Sequence, residues 1–215
     1  MKRVCRMAVL AVALWLTSAC GQKEVKTTLK DVAEKVSADR EQIPTICVYT
    51  LGKVSGDLRE EMMDSLRCHY PKCRYAGRLD LTASAVTQKR HDHVRYRADV
   101  LNRWLTKYKT DTTMVIGLTQ ADIGLDNFRN RAHSGIMGMA SGYNTGVAVF
   151  SSYRPNNRSE LFAVMIHELG HAQGLHHCAD ERCLMQNAKG GNPFRRTRVF
   201  CSRCKAYMQE RHWKL

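Results

Sequence analysis

Apolar residues along this chain form short continuous runs in some places and helically spaced positions in others, which indicates a domain of mixed strands and helices. The continuous runs are rich in β-branched and aromatic residues, and they predict buried strands at residues 43–52, 113–118, 134–140 and 146–151. A shorter strand is predicted at 79–81. Apolar residues three or four positions apart predict helices at 57–66, 92–108 and 202–212.

A further helix is predicted from Ser159, whose side chain is suited to cap it. A loop is predicted at 68–73, where Pro71 interrupts the pattern. Strands and helices alternate through the first part of the domain, and a helix with irregular structure follows. The sequence shows no internal repeat and no second domain boundary.

The first residues have the pattern of an export signal. Positive charge at Lys2 and Arg3 precedes an apolar run at 7–16 and small residues just before Cys20. We predict that 1–19 is a signal peptide and that Cys20 becomes the lipid-modified first residue of a bacterial envelope lipoprotein. Simple cleavage, which would release a periplasmic or secreted protein, is the alternative. Residues 20–40 are polar and are predicted to be a tether, and 41–215 a single globular domain.

The chain is strongly basic, with a formal net charge of +14 that falls to about +11 once residues 1–19 are removed. The basic side chains are spread along the sequence, and an exported protein rarely meets nucleic acid. We therefore predict no nucleic-acid partner and membrane contact through the lipid anchor. The sequence gives no basis for predicting the oligomeric state.

The residues that carry chemistry are concentrated between His167 and His177. On a helix, His167 and His171 project from one face and can bind one metal ion. Gly174 permits the backbone turn that returns His177 to the same metal. Three protein ligands leave one zinc position open, as in catalytic rather than structural sites. Glu168 is placed to take a proton from the activated water.

Two alternatives apply to this run. His176 could compete with its neighbour for the metal, although the spacing from Gly174 favours His177. The whole run could also be an amphipathic core helix whose histidines face solvent. The fixed offsets of the three histidines, the glutamate and the glycine, which form the pattern HExxHxxGxxH, argue against that interpretation.

Four cysteines form a second constellation: Cys178, Cys183, Cys201 and Cys204. Their spacing of C-x4-C followed by C-x2-C suits a tetrahedral four-thiolate zinc site, which has no open position and is structural. Two disulfides or a redox-active Cys201-x-x-Cys204 pair are the alternatives. Such a cluster would pin the loop carrying Met185, which would pack as a hydrophobic floor beneath the three histidines.

Further residues have roles that the sequence leaves open. Tyr143, Tyr153 and Tyr207 are all candidates for stabilising an oxyanion, with nothing to separate them. Cys68 and Cys73 enclose the predicted loop and could form a small disulfide.

These motifs resemble those of the archaemetzincins, metzincin-type zinc proteases with a second, four-cysteine zinc site. The resemblance rests on the run from His167 to Cys178, on Cys183 to Met185, and on Cys201 and Cys204; residues 137–140 and 146–154 also look like the strands before the family's zinc helix. It implies that His167, His171 and His177 bind the catalytic zinc, Glu168 is the base and Met185 forms the Met-turn. The four cysteines, Cys178, Cys183, Cys201 and Cys204, would hold the second zinc.

The resemblance implies an α/β (α+β) metzincin-like zincin domain: a mixed sheet with helices, an active-site helix and a small C-terminal zinc knot. The implied function is a zinc-dependent metallopeptidase with two Zn2+ ions and a peptide or protein substrate. The segment 135–142 would be the edge strand that pairs with an extended substrate. The alternatives are a non-catalytic zinc-binding or interaction module, which would not need Glu168, and a cytosolic nucleic-acid-binding protein.

Overall fold

The computed structural model describes residues 43–89, 93–125 and 134–215, and within them nine strands and four helices form the fold. The predictions for residues 1–19, Cys20 and the tether therefore lie outside the described residues. The strands are β1 Thr45–Leu51, β2 Cys73–Leu79, β3 Val86–Lys89, β4 Val94–Arg97, β5 Thr113–Thr119, β6 Asp122–Leu125, β7 Ser134–Ile136, β8 Gly138–Ala140 and β9 Val147–Ser151. The helices are α1 Gly56–His69, α2 Ala98–Leu105, α3 Arg158–Ala172 and α4 Ser202–Gln209.

The main sheet has five strands in the order β2-β1-β5-β9-β8. The first four strands are parallel to one another, and β8 joins β9 antiparallel at the edge. Alternate residues of β1 face opposite sides: Val48 packs with α1 and α3, whereas Cys47 and Leu51 pack with α2. Helices cover both faces, which explains why the central strands are almost continuously apolar in sequence.

A second, four-stranded sheet has the order β3-β4-β6-β7. The chain passes from this sheet into the main one at Met137, between β7 and β8, and the Met137 carbonyl accepts a hydrogen bond from Ser151 N at 2.8 Å. The prediction of one strand over 134–140 is therefore wrong. The edge strand next to β9, which was expected at 135–142, is confined to Gly138–Ala140.

The predicted helix at 92–108 is also wrong in its first part. Val94–Arg97 is strand β4, and the helix covers only Ala98–Leu105 before a 3-10 turn at Thr106–Tyr108. Strand β4 pairs with β6, where Arg95 lies opposite Asp122 and its Nε donates to that carboxylate at 2.7 Å. This buried ion pair and the strand pairing override the helical periodicity.

The remaining predictions agree with the structure apart from their boundaries. The strand expected at 79–81 lies instead at Cys73–Leu79, and helix α1 extends to His69 into the predicted loop. Asn157, not Ser159, caps α3; Ser159 Oγ accepts a hydrogen bond from Arg198.

After α3 the chain is mostly irregular, and tertiary contacts fix it to the rest of the domain. The Trp213 ring packs on Tyr70 with centroids 4.9 Å apart, and Lys214 N donates to His69 O at 2.8 Å. The mixed α/β sheet, the long helix and this cysteine-containing C-terminal part confirm the predicted fold class. In the described ranges, no helix is long and apolar enough to span a membrane.

Candidate active site

Helix α3 carries two of the three clustered histidines, and its first turn is fixed by polar contacts. The Asn157 side chain accepts a hydrogen bond from Glu160 N at 2.9 Å and so caps the helix. Glu160 is 1% exposed and accepts hydrogen bonds from the side chains of Asn156 and Asn192. Burial alone would raise the pKa of Glu160, but these hydrogen bonds outweigh it and lower the pKa. The buried carboxylate thus ties the start of α3 to the loop around Asn192.

The end of α3 is a tight turn at Gly174, whose φ is +96°. Gly174 N donates to His171 O at 2.9 Å, and Leu175 N donates to Gly170 O at 2.8 Å. These bonds satisfy the last carbonyls of the helix and reverse the chain. A Cβ atom at Gly174 would lie 2.8 Å from Tyr207 Oη, so a close contact as well as the backbone conformation requires glycine.

The turn brings three imidazoles together. His171 Nε2 lies 3.0 Å from His167 Nε2 and 3.2 Å from His177 Nε2. The other ring nitrogen of each of the two α3 histidines contacts a backbone carbonyl. His167 Nδ1 lies 2.8 Å from Leu184 O, and His171 Nδ1 lies 2.7 Å from Leu175 O. Donation from Nδ1 to these carbonyls leaves the Nε2 lone pairs directed toward the common centre.

The imidazoles of the two α3 histidines, His167 and His171, are electrically neutral at physiological pH. Burial, aided by the neighbouring His171, lowers the pKa of His167 to about 3. Burial likewise lowers the pKa of His171 to about 4, and it lowers that of the more exposed His177. Neutral imidazoles are the form that binds a metal.

These nitrogens fit zinc. Tetrahedral zinc with Zn–N bonds of about 2.05 Å requires ligand nitrogens about 3.3 Å apart, close to the separations found here. Three nitrogen ligands with an open fourth position are typical of catalytic zinc. His167, His171 and His177 offer their ligand atoms within 4.8 Å of one another.

Buried apolar side chains pack against the histidine-bearing helix α3 and the His167 ring. Met185 is fully buried, and a Cβ atom at Gly170 would lie 3.0 Å from its sulfur and 3.1 Å from its methyl carbon. Glycine at this helical position therefore lets Met185 pack against the backbone of α3. Phe194 meets the His167 ring edge-on, with centroids 5.1 Å apart. This packing restricts the orientations that His167 can adopt.

Glu168 lies on the cleft side of α3, against the edge strand β8. Its Oε2 accepts a hydrogen bond from Ala140 N at 2.7 Å. Burial raises the pKa of Glu168 to about 7, although the Ala140 hydrogen bond acts in the opposite direction. A Cβ atom at Gly138 would lie 2.8 Å from Val164 Cγ1 and 3.0 Å from Glu168 Cγ, so glycine allows the strand to approach the helix this closely.

The histidines and Glu168 open into a cleft of about 1070 Å3 between β8 and the loop at 187–195. Of the three candidate tyrosines, Tyr143 lines this cleft and contacts the His176 ring with centroids 3.9 Å apart. Tyr207 instead donates to Gln173 O at 3.1 Å, and Tyr153 contacts His93 Nδ1 at 3.2 Å. The structure thus leaves Tyr143 as the only one of the three that borders the cleft.

Cys178, Cys183, Cys201 and Cys204 form the second cluster, with their sulfurs within 4.8 Å of one another. Cys178 Sγ and Cys201 Sγ are 3.8 Å apart, which excludes a disulfide between them and matches the roughly 3.8 Å expected for two thiolates on tetrahedral zinc. All seven described cysteines, including Cys68 and Cys73, are free thiols in this structure.

Hydrogen bonds around the cysteine cluster favour thiolates, whereas burial acts in the opposite direction and raises the pKa of Cys183 and Cys204. Cys183 Sγ accepts hydrogen bonds from Met185 N at 3.4 Å and Cys201 N at 3.3 Å. Arg203 donates to Cys178 Sγ at 3.5 Å. A hydrogen bond from the Cys204 backbone lowers the pKa of Cys201 to about 7. The donor set and these contacts fit zinc held by four thiolates.

Three residues that shape the site without chemistry of their own were not predicted from the sequence: Gly138, Gly170 and Phe194. A glycine inside a predicted helix is unfavourable unless something packs closely against it, so Gly170 did carry a signal. The contacts of Gly138 and Phe194 depend on chain segments distant in sequence, and no local pattern indicates them.

Comparison with known proteins supports the resemblance to metzincin-type zinc proteases that the sequence motifs indicated. A family model described as matrixin, Peptidase_M10, matches residues 66–196 and ends before Cys201. The archaemetzincin of Pyrococcus abyssi (strain GE5 / Orsay) is 27% identical over 160 residues, which are 65% of this chain and 80% of the relative.

Solved archaemetzincin structures share the fold. The structure from Methanopyrus kandleri has a TM-score of 0.64 at 22% identity, covering 80% of this chain and 97% of that chain. The structure from Archaeoglobus fulgidus, complexed with malonate, has a TM-score of 0.60 at 19% identity, covering 75% of this chain and 99% of that chain. Because the family model matches more than half of the chain, the protein belongs to the matrixin family of metzincin-type zinc metallopeptidases, and it also resembles archaemetzincins in sequence and fold.

Proposed function

We propose that the protein hydrolyses peptide bonds at the three-histidine site, with His167, His171 and His177 holding zinc and Glu168 transferring the proton. The observation that carries this proposal is the convergence of three neutral imidazoles beside a carboxylate that shares their cleft. Zinc, when bound, supplies Lewis-acid polarisation of the scissile carbonyl and lowers the pKa of water.

Glu168 acts as general base and then as general acid. The hydrogen bond from Ala140 N fixes Oε2, and Oε1 accepts no hydrogen bond from any other residue in the described ranges. Oε1 is therefore available to take a proton from the attacking water and return it to the leaving amine. Burial, which raises the pKa of Glu168, makes the carboxylate a better acceptor for the proton of the attacking water.

The substrate lies extended along β8. This strand pairs with β9 on one side only and forms the edge of the main sheet next to Glu168. Apart from Ala140 N, which donates to Glu168, the backbone groups on its open side can add a peptide as a further strand and place a carbonyl group at the histidine cluster. Tyr143 lies on the same side and is the candidate for stabilising charge on the carbonyl oxygen.

The test is cleavage of a diverse peptide library by the full, zinc-loaded chain, with products mapped by mass spectrometry. Glu168→Gln keeps an acceptor for Ala140 N but cannot take a proton, so we expect cleavage to fall by at least ~100-fold while zinc stays bound. Glu181→Gln, at an exposed acid outside the cleft, is the matched control and should leave cleavage unchanged. Equal cleavage by parent and Glu168→Gln would refute the role of Glu168. A parent that binds zinc but cleaves nothing would favour a binding module.

We also propose that Cys178, Cys183, Cys201 and Cys204 hold a second, structural zinc. Metal analysis should find two zinc ions per chain in the parent and one in Cys183→Ser, because Cys183 is fully buried among the other sulfurs. Cys68→Ser changes an exposed thiol and should retain two. A stoichiometry of one in the parent would contradict the second site.

The location proposal rests on the sequence of residues 1–20 alone. We propose export and anchoring in a bacterial envelope by lipid on Cys20, with residues 20–40 as tether to a domain at 41–215. Metabolic labelling with a radioactive fatty acid should mark the parent but not Cys20→Ala. A labelled Cys20→Ala protein, or an unlabelled parent, would contradict anchoring at this residue.

A further inference from the structure

A second charged cluster lies at the other end of the cleft, where the four-stranded sheet meets β9. Its centre is Asp122 on β6, whose side chain is fully buried. Arg95 Nε donates to Asp122 Oδ2 at 2.7 Å, and His93 Nε2 lies 3.0 Å from the same oxygen. Arg154, just after β9, donates from Nε and Nη2 to the two carboxylate oxygens at 3.0 and 3.1 Å. One carboxylate therefore orients two guanidinium groups.

The two arginines differ in their access to the cleft. The Arg95 side chain is 6% exposed, whereas that of Arg154 is 33% exposed and lines the cleft wall. Its guanidinium lies flat against β7, where a Cβ atom at Gly135 would be 1.9 Å from Nη2. Glycine thus leaves room for the guanidinium at the surface of the cleft. Nη1 has no hydrogen-bond partner among the residues that the structure describes.

The other charged side chains of the cleft are mostly positive as well. Lys189 and Arg195 also line it, and Glu168 is the one acidic residue among the cleft-lining residues that the structure describes. The zinc proposed at the histidines would add further positive charge. A guanidinium with an unused donor edge, oriented by a buried carboxylate, is a rigid receptor for a second carboxylate.

We propose that Arg154 is the anchor of a carboxylate-binding subsite, so that this peptidase prefers substrates with an acidic group on the carboxyl-terminal side of the scissile bond. The inference rests on the proposed function. An extended peptide paired antiparallel to β8 runs from Ala140 toward Gly138, and Gly135, against which Arg154 lies, comes three residues before Gly138. At about 3.3 Å per residue, its acidic group would lie roughly two to five residues beyond the scissile bond. The group is a Glu or Asp side chain or the C-terminal carboxylate.

The experiment uses the full, zinc-loaded chain and pairs of peptides that differ only in Glu or Gln at one of these positions, or in a C-terminal acid or amide. The parent should cleave at least one acidic peptide ~10-fold faster in kcat/KM than its neutral twin. Arg154→Met should reduce that ratio to about 1, and Arg154→Lys, which keeps the charge but not the planar fork, to about 3. If the pairs with Glu or Gln show the preference, the carboxylate that binds is a side chain; if the pair with a C-terminal acid or amide shows it, the carboxylate is the C-terminus.

Lys189→Met is the matched control, since it removes a positive charge from the same cleft without touching Asp122. It should keep most of the preference. An unchanged ratio of kcat/KM for the acidic and neutral peptides in Arg154→Met would overturn the proposal. An equal loss of the preference in Lys189→Met would also overturn it, because that result would indicate a diffuse electrostatic field rather than a subsite. Circular dichroism checks that each variant is folded.

Binding separates this proposal from the proposed function. Fluorescence anisotropy of labelled peptide twins on the Glu168→Gln protein measures the carboxylate preference without turnover. A ~10-fold lower Kd for the acidic twin, lost in the double variant with Arg154→Met, supports the subsite even if the parent cleaves nothing. Equal Kd values for the acidic and neutral twins refute it even if the parent is an active peptidase.

Discussion

Replacing Gly174 with Ala tests how the turn after α3 positions the third histidine. Two costs follow from the structure. The first is conformational, because φ at this position is +96°, where an L-residue other than glycine is strained by about 2 kcal/mol. The second is steric, because the new Cβ atom would lie 2.8 Å from Tyr207 Oη.

Tyr207 cannot give way freely. Its hydroxyl donates to Gln173 O at 3.1 Å, and the Arg211 guanidinium stacks 3.5 Å from its ring centroid. Displacing it should cost about 1 kcal/mol, so we expect Gly174→Ala to lower the free energy of unfolding by ~3 kcal/mol. Tyr207→Phe alone should cost ~1 kcal/mol, because Arg211 Nε still donates to Gln173 O. In the double variant the clash is gone, so the loss should be ~3 kcal/mol rather than the additive ~4 kcal/mol.

The assay is urea unfolding followed by tryptophan fluorescence, with all four proteins at one fixed free zinc concentration because metal binding contributes to the measured stability. A zinc competition titration on the same proteins should show weaker binding in Gly174→Ala, since His177 follows the turn directly. A loss below ~0.5 kcal/mol in Gly174→Ala would refute the conformational reasoning. A coupling between the two substitutions indistinguishable from zero would refute the steric part.

Three further substitutions test other parts of the structure. Met185→Ala removes a fully buried side chain that packs against Gly170 of α3 and should cost ~2–4 kcal/mol in urea unfolding; a loss under ~1 kcal/mol would argue against close packing at this position. Gly138→Ala places a Cβ atom 2.8 Å from Val164 Cγ1 and 3.0 Å from Glu168 Cγ, which should displace the Glu168 side chain. The value of kcat/KM should therefore fall ~10–100-fold with little change in zinc content. An unchanged kcat/KM would contradict that contact. Asp122→Asn tests pH dependence: burial raises the pKa of this carboxyl, but hydrogen bonds from two guanidinium groups outweigh burial and lower it. The stabilising contribution of the Asp122 carboxylate is therefore present above the unfolded pKa of ~3.9 and is lost as the pH falls through the lower folded pKa. As the pH is lowered, the free energy of unfolding should decline less steeply in Asp122→Asn than in the parent. Parallel declines in the two proteins would contradict this reasoning.

Much of the site could be predicted because its chemistry is local in sequence. His167 and His171 are four residues apart, so any helix places them on one face. Gly174 itself indicates the turn, because glycine readily adopts the positive φ that the turn requires. The cysteine spacing likewise indicated convergence, since a C-x2-C pair at a helix start brings two sulfurs together whatever the rest of the fold. Local geometry of this kind survives any tertiary arrangement.

The errors came where distant segments decide the structure. Residues 94–97 have helical spacing but form β4, because pairing with β6 buries Asp122 against Arg95. Residues 134–140 look like one strand, yet the chain changes sheets at Met137. The side-chain pattern of a segment does not specify the strand with which it pairs or the point at which it changes sheets, so periodicity alone cannot reveal either feature.

The segment from His177 to Met185 belongs to both metal-ligating clusters. His177 directly precedes Cys178, whose N–H donates to Met185 O at 2.8 Å, and the Leu184 carbonyl orients His167. Because one stretch of backbone must be ordered for either cluster to form, metal binding at one lowers the ordering entropy still to be lost at the other. Thermodynamic linkage would make this effect reciprocal, so we expect ions at the two clusters to bind with positive cooperativity. A chelator that removes an ion from the cysteines should then also weaken metal binding at the histidines.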